Sequence, residues 1–423
     1  MATSQTASGY LKRTNKQFRI ALIIGIAALV IGAIGVFRVL YFGNLGNLST
    51  EVPWGLWVGL YEYFVLLEVG AVLSFVLLRY GAGIRELDRL GPIIMLTALA
   101  ALAGALISIF HDLGQPFRVW RPILAPDFGS LLTWMIWLHL AYLVILVIEL
   151  WAYRLGRKDI VKNMAYISVP AGAALVAVLG SFLSVAAARP LWNDLLLPVV
   201  YLISAFVVGT GLVLLQHLLF SPDRGSPVYH ELARRLGRWF LSWIMIGAFT
   251  ALTISLVMSY ADVPATAAIL EQMLTGEYAW TIWVFHVGLG ILLPVILLFW
   301  QERIGDQVNR IRMLGAASAL MVANFLMVPM NVVIPALAYR YDHVRDTLIR
   351  FEYFPHLVEW LVMVFVIGLM LVIFALGIRL VIQPFYRMAI SPAAGAVHDA
   401  DSPGDGGHQA PSPPNTDSKN DES

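Results

Sequence analysis

Ten long apolar runs dominate this chain, near residues 18–42, 53–79, 91–111, 130–152, 163–187, 194–220, 238–260, 279–300, 312–337 and 356–382. A bilayer core of ~30 Å is crossed by about 20 helical residues at ~1.5 Å rise each. A helix also satisfies its own backbone hydrogen bonds where no water is present. The runs therefore predict an all-α integral membrane bundle of about ten transmembrane helices. Only 13% of residues are charged, against about a quarter in water-soluble domains, which excludes a water-soluble enzyme. The first run follows a basic segment, as in a signal peptide, but it is too long for such a peptide's apolar region. No small-x-small cleavage site follows it, so it reads as a retained span.

Basic residues orient the bundle. Of 28 Lys and Arg, seven (Arg38, Arg118, Arg121, Arg189, Arg340, Arg345, Arg350) fall on one side and the remaining 21 on the other. By the positive-inside rule this places both termini in the cytoplasm, and an even number of spans is then required. Residues 1–17 form a cytoplasmic segment and 18–385 the bundle. Residues 391–423, rich in Pro, Gly, Ser and Asp, read as a disordered cytoplasmic tail. The net charge of +1 offers nucleic acid no electrostatic attraction; the expected surroundings are membrane lipid. The loops on the outer side are of another kind. HDLGQPFRVWRPILAPDFG follows span three, ARPLWND follows span five, and YRYDHVRDTLIRFEYFPH follows span nine.

No cysteine is present, which excludes disulfides, thiolate zinc, iron–sulfur ligation and covalent haem within the chain. A redox cofactor must be held by histidine, be bound non-covalently, or sit on another protein. No phosphate-cradling glycine loop, nucleophile elbow or HExxH is found.

Ionisable residues inside a bilayer cost roughly 2.5–3.5 kcal/mol each on insertion scales, so they point to function. In span two, Trp54, Trp57, Tyr61 and Glu68 fall on one helical face, with Glu62 further round. His111 and Asp112 end span three; they read either as an ordinary helix terminus or as proton carriers at a pocket mouth. Arg118 and Arg121 could pair with Asp112 or Asp127. His139 and His286 lie at similar depth, as bis-histidine haem b ligation would need, although His217 has no matching partner. Interhelical hydrogen bonding accounts for these histidines more simply than haem. Asn324 and Asn331, seven residues apart in span nine, read as interhelical glue.

Several of these segments resemble the NrfD-like family, which includes the membrane subunits of polysulfide reductase and of HybB-type nickel–iron hydrogenase. Pro53-Trp54-Gly55-Leu56-Trp57 resembles the family's PWGxW opening of a core helix, and Asp112-Leu113-Gly114 its D-x-G segment. Arg189-Pro190-Leu191-Trp192 is similar to its R-P-L-W segment, and Tyr353-Phe354-Pro355 with Glu359 to the YFP-x-x-x-E start of the last HybB-type helix. Polysulfide-reductase-type members carry Asn and His on the first core helix. Here the nearest positions are Gly59 and Glu62, leaving Tyr61 or Glu62 for that role.

The resemblance implies a quinone-reactive anchor, with menaquinone or ubiquinone as cofactor and no metal in this chain. It sits in the inner (plasma) membrane of a prokaryote. At its outer face a ferredoxin-like iron–sulfur subunit docks, serving a large catalytic subunit of molybdopterin or nickel–iron type. Under this reading Arg189 and His111 bind or polarise a quinone carbonyl, and Glu62 and Asp112 exchange protons. Trp54, Tyr61 and Trp192 wall the ring, and Arg118 and His139 also belong to the cofactor-binding set. Two other classes remain open: a haem-bearing cytochrome b subunit through His139 and His286, and a secondary transporter, which broken mid-membrane helices would support.

Overall fold

The computed structural model describes residues 2–43, 48–260, 263–342, 344–345 and 347–390. Ten of the described helices are long and apolar enough to cross a membrane. Spans one to five are Gly9–Phe42, Leu56–Gly81, Gly91–Asp112, Leu131–Leu155 and Lys158–Ser184. Spans six to ten are Leu197–Phe220, Pro227–Tyr260, Thr281–Arg303, Gln307–Ala338 and Leu357–Tyr386. The all-α fold is as expected; the tail at 391–423 lies outside the described residues. Helices overrun the apolar runs where polar sequence still favours helix. Span seven starts at Pro227, and its first turns carry His230, Glu231, Arg234, Arg235 and Arg238. Span two starts later than expected, at Leu56, so Trp54 precedes the helix and does not share its face. That corrects the helical-wheel placement of Trp54.

Span two is the axis of the bundle. The most apolar stretch of span two is 89% buried, against 11% for span seven, which therefore faces lipid. Span two packs on spans three, five and six. The crossing with span six is a backbone contact: a Cβ on Gly209 would lie 2.0 Å from the Gly70 carbonyl oxygen, so only glycine fits there. Small residues at such crossings are what membrane helices use to approach closely. Span six in turn meets spans seven and nine, span nine meets span eight, and span ten bridges span three to span one.

Two spans are irregular. Span eight is a π-helix over Thr281–Leu292 before continuing as α-helix. Span nine breaks into Gln307–Asn324 and Met327–Ala338. Pro329, in the first turn after the break, has no N–H to return to the Phe325 carbonyl, and proline is tolerated at such a restart. Asn324 and Asn331 thus do not share one continuous helical face. Both nevertheless bind span eight: Asn324 Nδ2 donates to the Phe285 carbonyl (2.6 Å), and Asn331 Oδ1 accepts from Thr281 Oγ1 (2.7 Å). Their role as interhelical glue stands.

A two-stranded antiparallel hairpin, β1 (Tyr339–Asp342) and β2 (Thr347–Arg350), links spans nine and ten, with Tyr339 opposite Arg350 and Asp342 opposite Thr347. It delivers Tyr353 to the start of span two. Span ten then opens with a capping box in which His356 Nδ1 accepts from the Val358 N–H and Glu359 Oε1 from the His356 N–H.

Candidate functional site

Three of the four family-like segments converge where span two begins. Tyr353 OH accepts from the Leu56 N–H (2.7 Å) and donates to Glu359 Oε2 (2.5 Å). The Tyr353 backbone is held in turn by Tyr278, whose hydroxyl donates to the Tyr353 carbonyl (3.0 Å). Burial, with the Glu359 carboxylate beside it, pushes the Tyr353 phenol far above its ordinary range and keeps it a donor. The approach requires Gly55, because a Cβ there would lie 2.0 Å from the Tyr353 hydroxyl oxygen. Trp57 Nε1 adds a bond to the Glu359 carbonyl (3.3 Å).

From the other side, Trp192 stacks on Trp54 with ring centroids 5.5 Å apart, and its Nε1 donates to the Val332 carbonyl (2.9 Å). Arg189 is half-buried and contacts three carbonyls, those of Ala336 (3.4 Å), Leu337 (3.5 Å) and Glu51 (3.3 Å). Burial lowers its pKa from the ordinary arginine value, partly offset by the nearby Glu51 charge. The guanidinium stays charged. These contacts make an interlock that ties the three segments to the start of span two and the end of span nine.

The fourth segment lies apart. A cavity of about 430 Å³ opens between the end of span one (Val39, Leu40, Gly43) and the end of span three with its loop, Phe110 to Arg118. Ligand sites commonly span ~300–1,000 Å³. His111 and Asp112 both line it. His111 Nδ1 donates to the Ile107 carbonyl of its own helix (2.7 Å), which leaves Nε2 as the nitrogen available to a ligand. The Asp112 Oδ1 is buried and has no hydrogen-bond partner among the described residues, a state that costs free energy unless something bonds there. Neither Arg118 nor Arg121 pairs with Asp112 or Asp127 among the described residues. Asp127 instead accepts from the Gly129 N–H (3.0 Å). Cavity and interlock touch where the Trp57 ring meets His111, centroids 6.2 Å apart.

Deeper in the bundle, the Tyr61 ring lies 5.7 Å from that of His139, whose Nδ1 donates to the Met135 carbonyl (2.7 Å). Glu62 is buried and accepts from the Tyr201 hydroxyl (2.6 Å). Glu68 and Glu149 are fully buried, and neither finds a hydrogen-bond partner for its carboxyl oxygens among the described residues. His139 and His286 belong to segments with different packing partners. The span carrying His139 lies mainly on spans three and five, and that carrying His286 mainly on span nine.

The candidate residues are thus divided by the fold. His111, Asp112 and Arg118 share the cavity; Trp54, Trp192 and Arg189 share the interlock; Tyr61, Glu62 and His139 are interior. Three participants escaped the sequence reading. Tyr201 has a weak signal, a phenol hydroxyl in an apolar span. Val39 and Leu40 have none, since they look like any lipid-facing residues.

Together these features define a polytopic, all-helical membrane protein with an amphipathic cleft at one end. The chain belongs to the polysulphide reductase NrfD family, whose model matches residues 44–338. Among curated proteins it is 24% identical to a selenate reductase subunit of Mesobacillus selenatarsenatis, over 83% of this chain and 91% of that protein. It is 23% identical to the Hdr-like menaquinol oxidoreductase integral membrane subunit of Archaeoglobus fulgidus, over 85% and 92%. The menaquinone reductase integral membrane subunit of Nitratidesulfovibrio vulgaris is 25% identical, over 70% and 80%.

Proposed function

We propose that this chain is the quinone-reactive integral membrane subunit of a multi-subunit respiratory oxidoreductase in a prokaryotic plasma membrane. Its His111 end faces outward, where a ferredoxin-like iron–sulfur subunit docks and serves a large molybdopterin- or nickel–iron-type catalytic subunit. The observation that carries this reading is the cavity itself. It sits at a bilayer end of the bundle, has an apolar wall from span one, and holds a carboxyl oxygen of Asp112 that has no partner among the described residues, beside His111. Relatives named for menaquinol and menaquinone chemistry support menaquinone as the quinone.

A bound quinone supplies a two-electron, two-proton couple. Asp112 is the group that holds and releases a proton at the cavity wall, and His111 Nε2 is the second polar contact. Arg118 brings positive charge to the rim. Glu62, bonded to Tyr201, lies about 7.5 Å further along span two than Trp57 and is the inner carboxyl of the pathway. The carbonyl contacts of Arg189 and the stacking of Trp54 on Trp192 support positioning roles for all three. With no cysteine in the chain, electrons are exchanged with the partner's cluster.

The test is menaquinol turnover by the intact complex carrying Asp112→Asn or His111→Ala, with the amount of each subunit measured alongside. Turnover should fall while the complex stays assembled. Full turnover in both variants would sink the assignment. One observation favours a second reading, a transporter: the break in span nine at 325–326. Co-purification of iron–sulfur and catalytic subunits decides for the oxidoreductase, and purification of a lone functional carrier decides against it. A sharp reduced α-band in the visible spectrum would instead assign haem to His139 and His286.

A further inference from the structure

Span one has an unusual place in this molecule. Its packing is almost wholly with span ten: a Cβ on Gly32 would meet the Phe365 backbone at 2.4 Å, and one on Gly368 the Leu29 backbone at 2.7 Å. Both helices lie outside residues 44–338, the stretch shared with the family model. Span ten also packs on span three, so it holds spans one and three side by side. The cavity occupies that gap, at the ends of the two helices.

The walls of the gap differ in chemistry. Span three and its loop contribute the polar groups of His111, Asp112, Gln115 and Arg118 alongside apolar Phe110, Leu113 and Phe117; span one contributes only Val39, Leu40 and Gly43. The apolar side does not end at the cavity. Leu40 is 52% exposed, and Phe37, one turn back along span one, is 61% exposed; Phe117, on the opposite lip, is 77% exposed. In a bilayer these side chains meet acyl chains. The span-one side of the cavity is therefore apolar and continuous with the lipid-facing surface, and the polar side chains all stand on the span-three side. An occupant that satisfies both is a polar ring carrying a long hydrocarbon chain.

Resting on the quinone reading above, we propose that spans one and three frame a lateral portal through which the prenyl chain of the quinone leaves the cavity into the bilayer. Span one, clamped on span ten, is the apolar jamb of this portal and makes the site selective for long-chain quinones. Val39 and Leu40 are the specificity-determining residues; Asp112 and His111 meet only the ring.

Two measurements on the intact complex test this. A menaquinone with a photoreactive group on its first prenyl unit, irradiated in the membrane, should label the peptide containing Val39 and Leu40. Labelling confined to other spans overturns the portal. Labelling of that peptide by a photoreactive phospholipid, with none by the quinone, overturns it in favour of a bound lipid. Next, Leu40→Trp narrows the opening at an exposed position. The ratio of kcat/KM for a long-chain quinol to that for a tail-less quinol should fall about tenfold, the discrimination expected when a methylene or two lose their contacts. An unchanged ratio overturns the proposal. Loss of the quinone reading looks different: tail-less quinol turnover would then survive Asp112→Asn. If that turnover is lost in Asp112→Asn but the prenyl probe misses span one, the cavity is a quinone site and only the portal is wrong.

Discussion

The interlock at the head of span two and the cleft beside His111 meet at a single ring contact, yet they treat polar groups in opposite ways. In the interlock the polar atoms of Tyr353 and the Trp192 indole N–H are all bonded, and Glu359 accepts at both carboxyl oxygens. In the cleft, Asp112 keeps a buried oxygen without a partner among the described residues. Buried polar networks that are fully satisfied specify one structure; a buried group left unmet stores a cost that a ligand can relieve. The difference teaches that family-like motifs need not share a task. Three of them build a scaffold, and under the proposed function one serves the chemistry.

Substitutions can break or sharpen that contrast. The largest effect is expected from Gly55→Ala, which forces the Tyr353 hydroxyl aside and costs about 3 kcal/mol from overpacking and lost bonds. Thermal melting of the solubilised complex should show the loss, and unchanged melting would mean the interlock is not structural. Asp112→Asn is the mirror image: turnover should drop on the order of 10²-fold, the usual worth of a positioned acid or base, with melting unchanged. A drop in melting instead would move Asp112 into the scaffold.

Smaller effects sharpen the picture. Tyr353→Phe deletes two hydrogen bonds and leaves the Leu56 N–H unpaired, for about 1–3 kcal/mol. Turnover per assembled complex should stay normal, and a specific loss of turnover would extend the chemistry into the interlock. Trp192→Phe keeps the ring stack on Trp54 but removes the bond to Val332. It should cost about 1 kcal/mol in the same melting assay, the least of the set; a cost equal to that of Gly55→Ala would make Trp192 the true anchor.

Much of the architecture was legible without coordinates. Ten spans follow from run length, because bilayer thickness converts directly into residue count. The position of Asp112 and His111 at the end of span three was legible too, since a helix end next to Gly-Gln-Pro is local information. Trp54 was misplaced by extending a helical wheel past the true start at Leu56. The apolar run near 312–337 reads as one helix, but it breaks at 325–326, between Asn324 and Asn331.

What the sequence could not carry was which faces look inward. In water an amphipathic stripe marks the buried side of a helix. In a bilayer both neighbours, lipid tail and helix, are apolar, and that signal vanishes. The most apolar stretches of spans two and seven have nearly the same mean hydropathy, 1.8 and 2.0, yet one lies in the buried axis and the other on the lipid-facing rim. The chain's composition and run lengths thus determined that it spans a membrane ten times as helices. Only tertiary packing decided that Tyr353 would close on Gly55, that Arg189 would reach the carbonyls of Ala336 and Glu51, and that span one would stand across a cavity from Asp112. Those outcomes depend on contacts between residues distant in sequence, and hydrophobic length is blind to them.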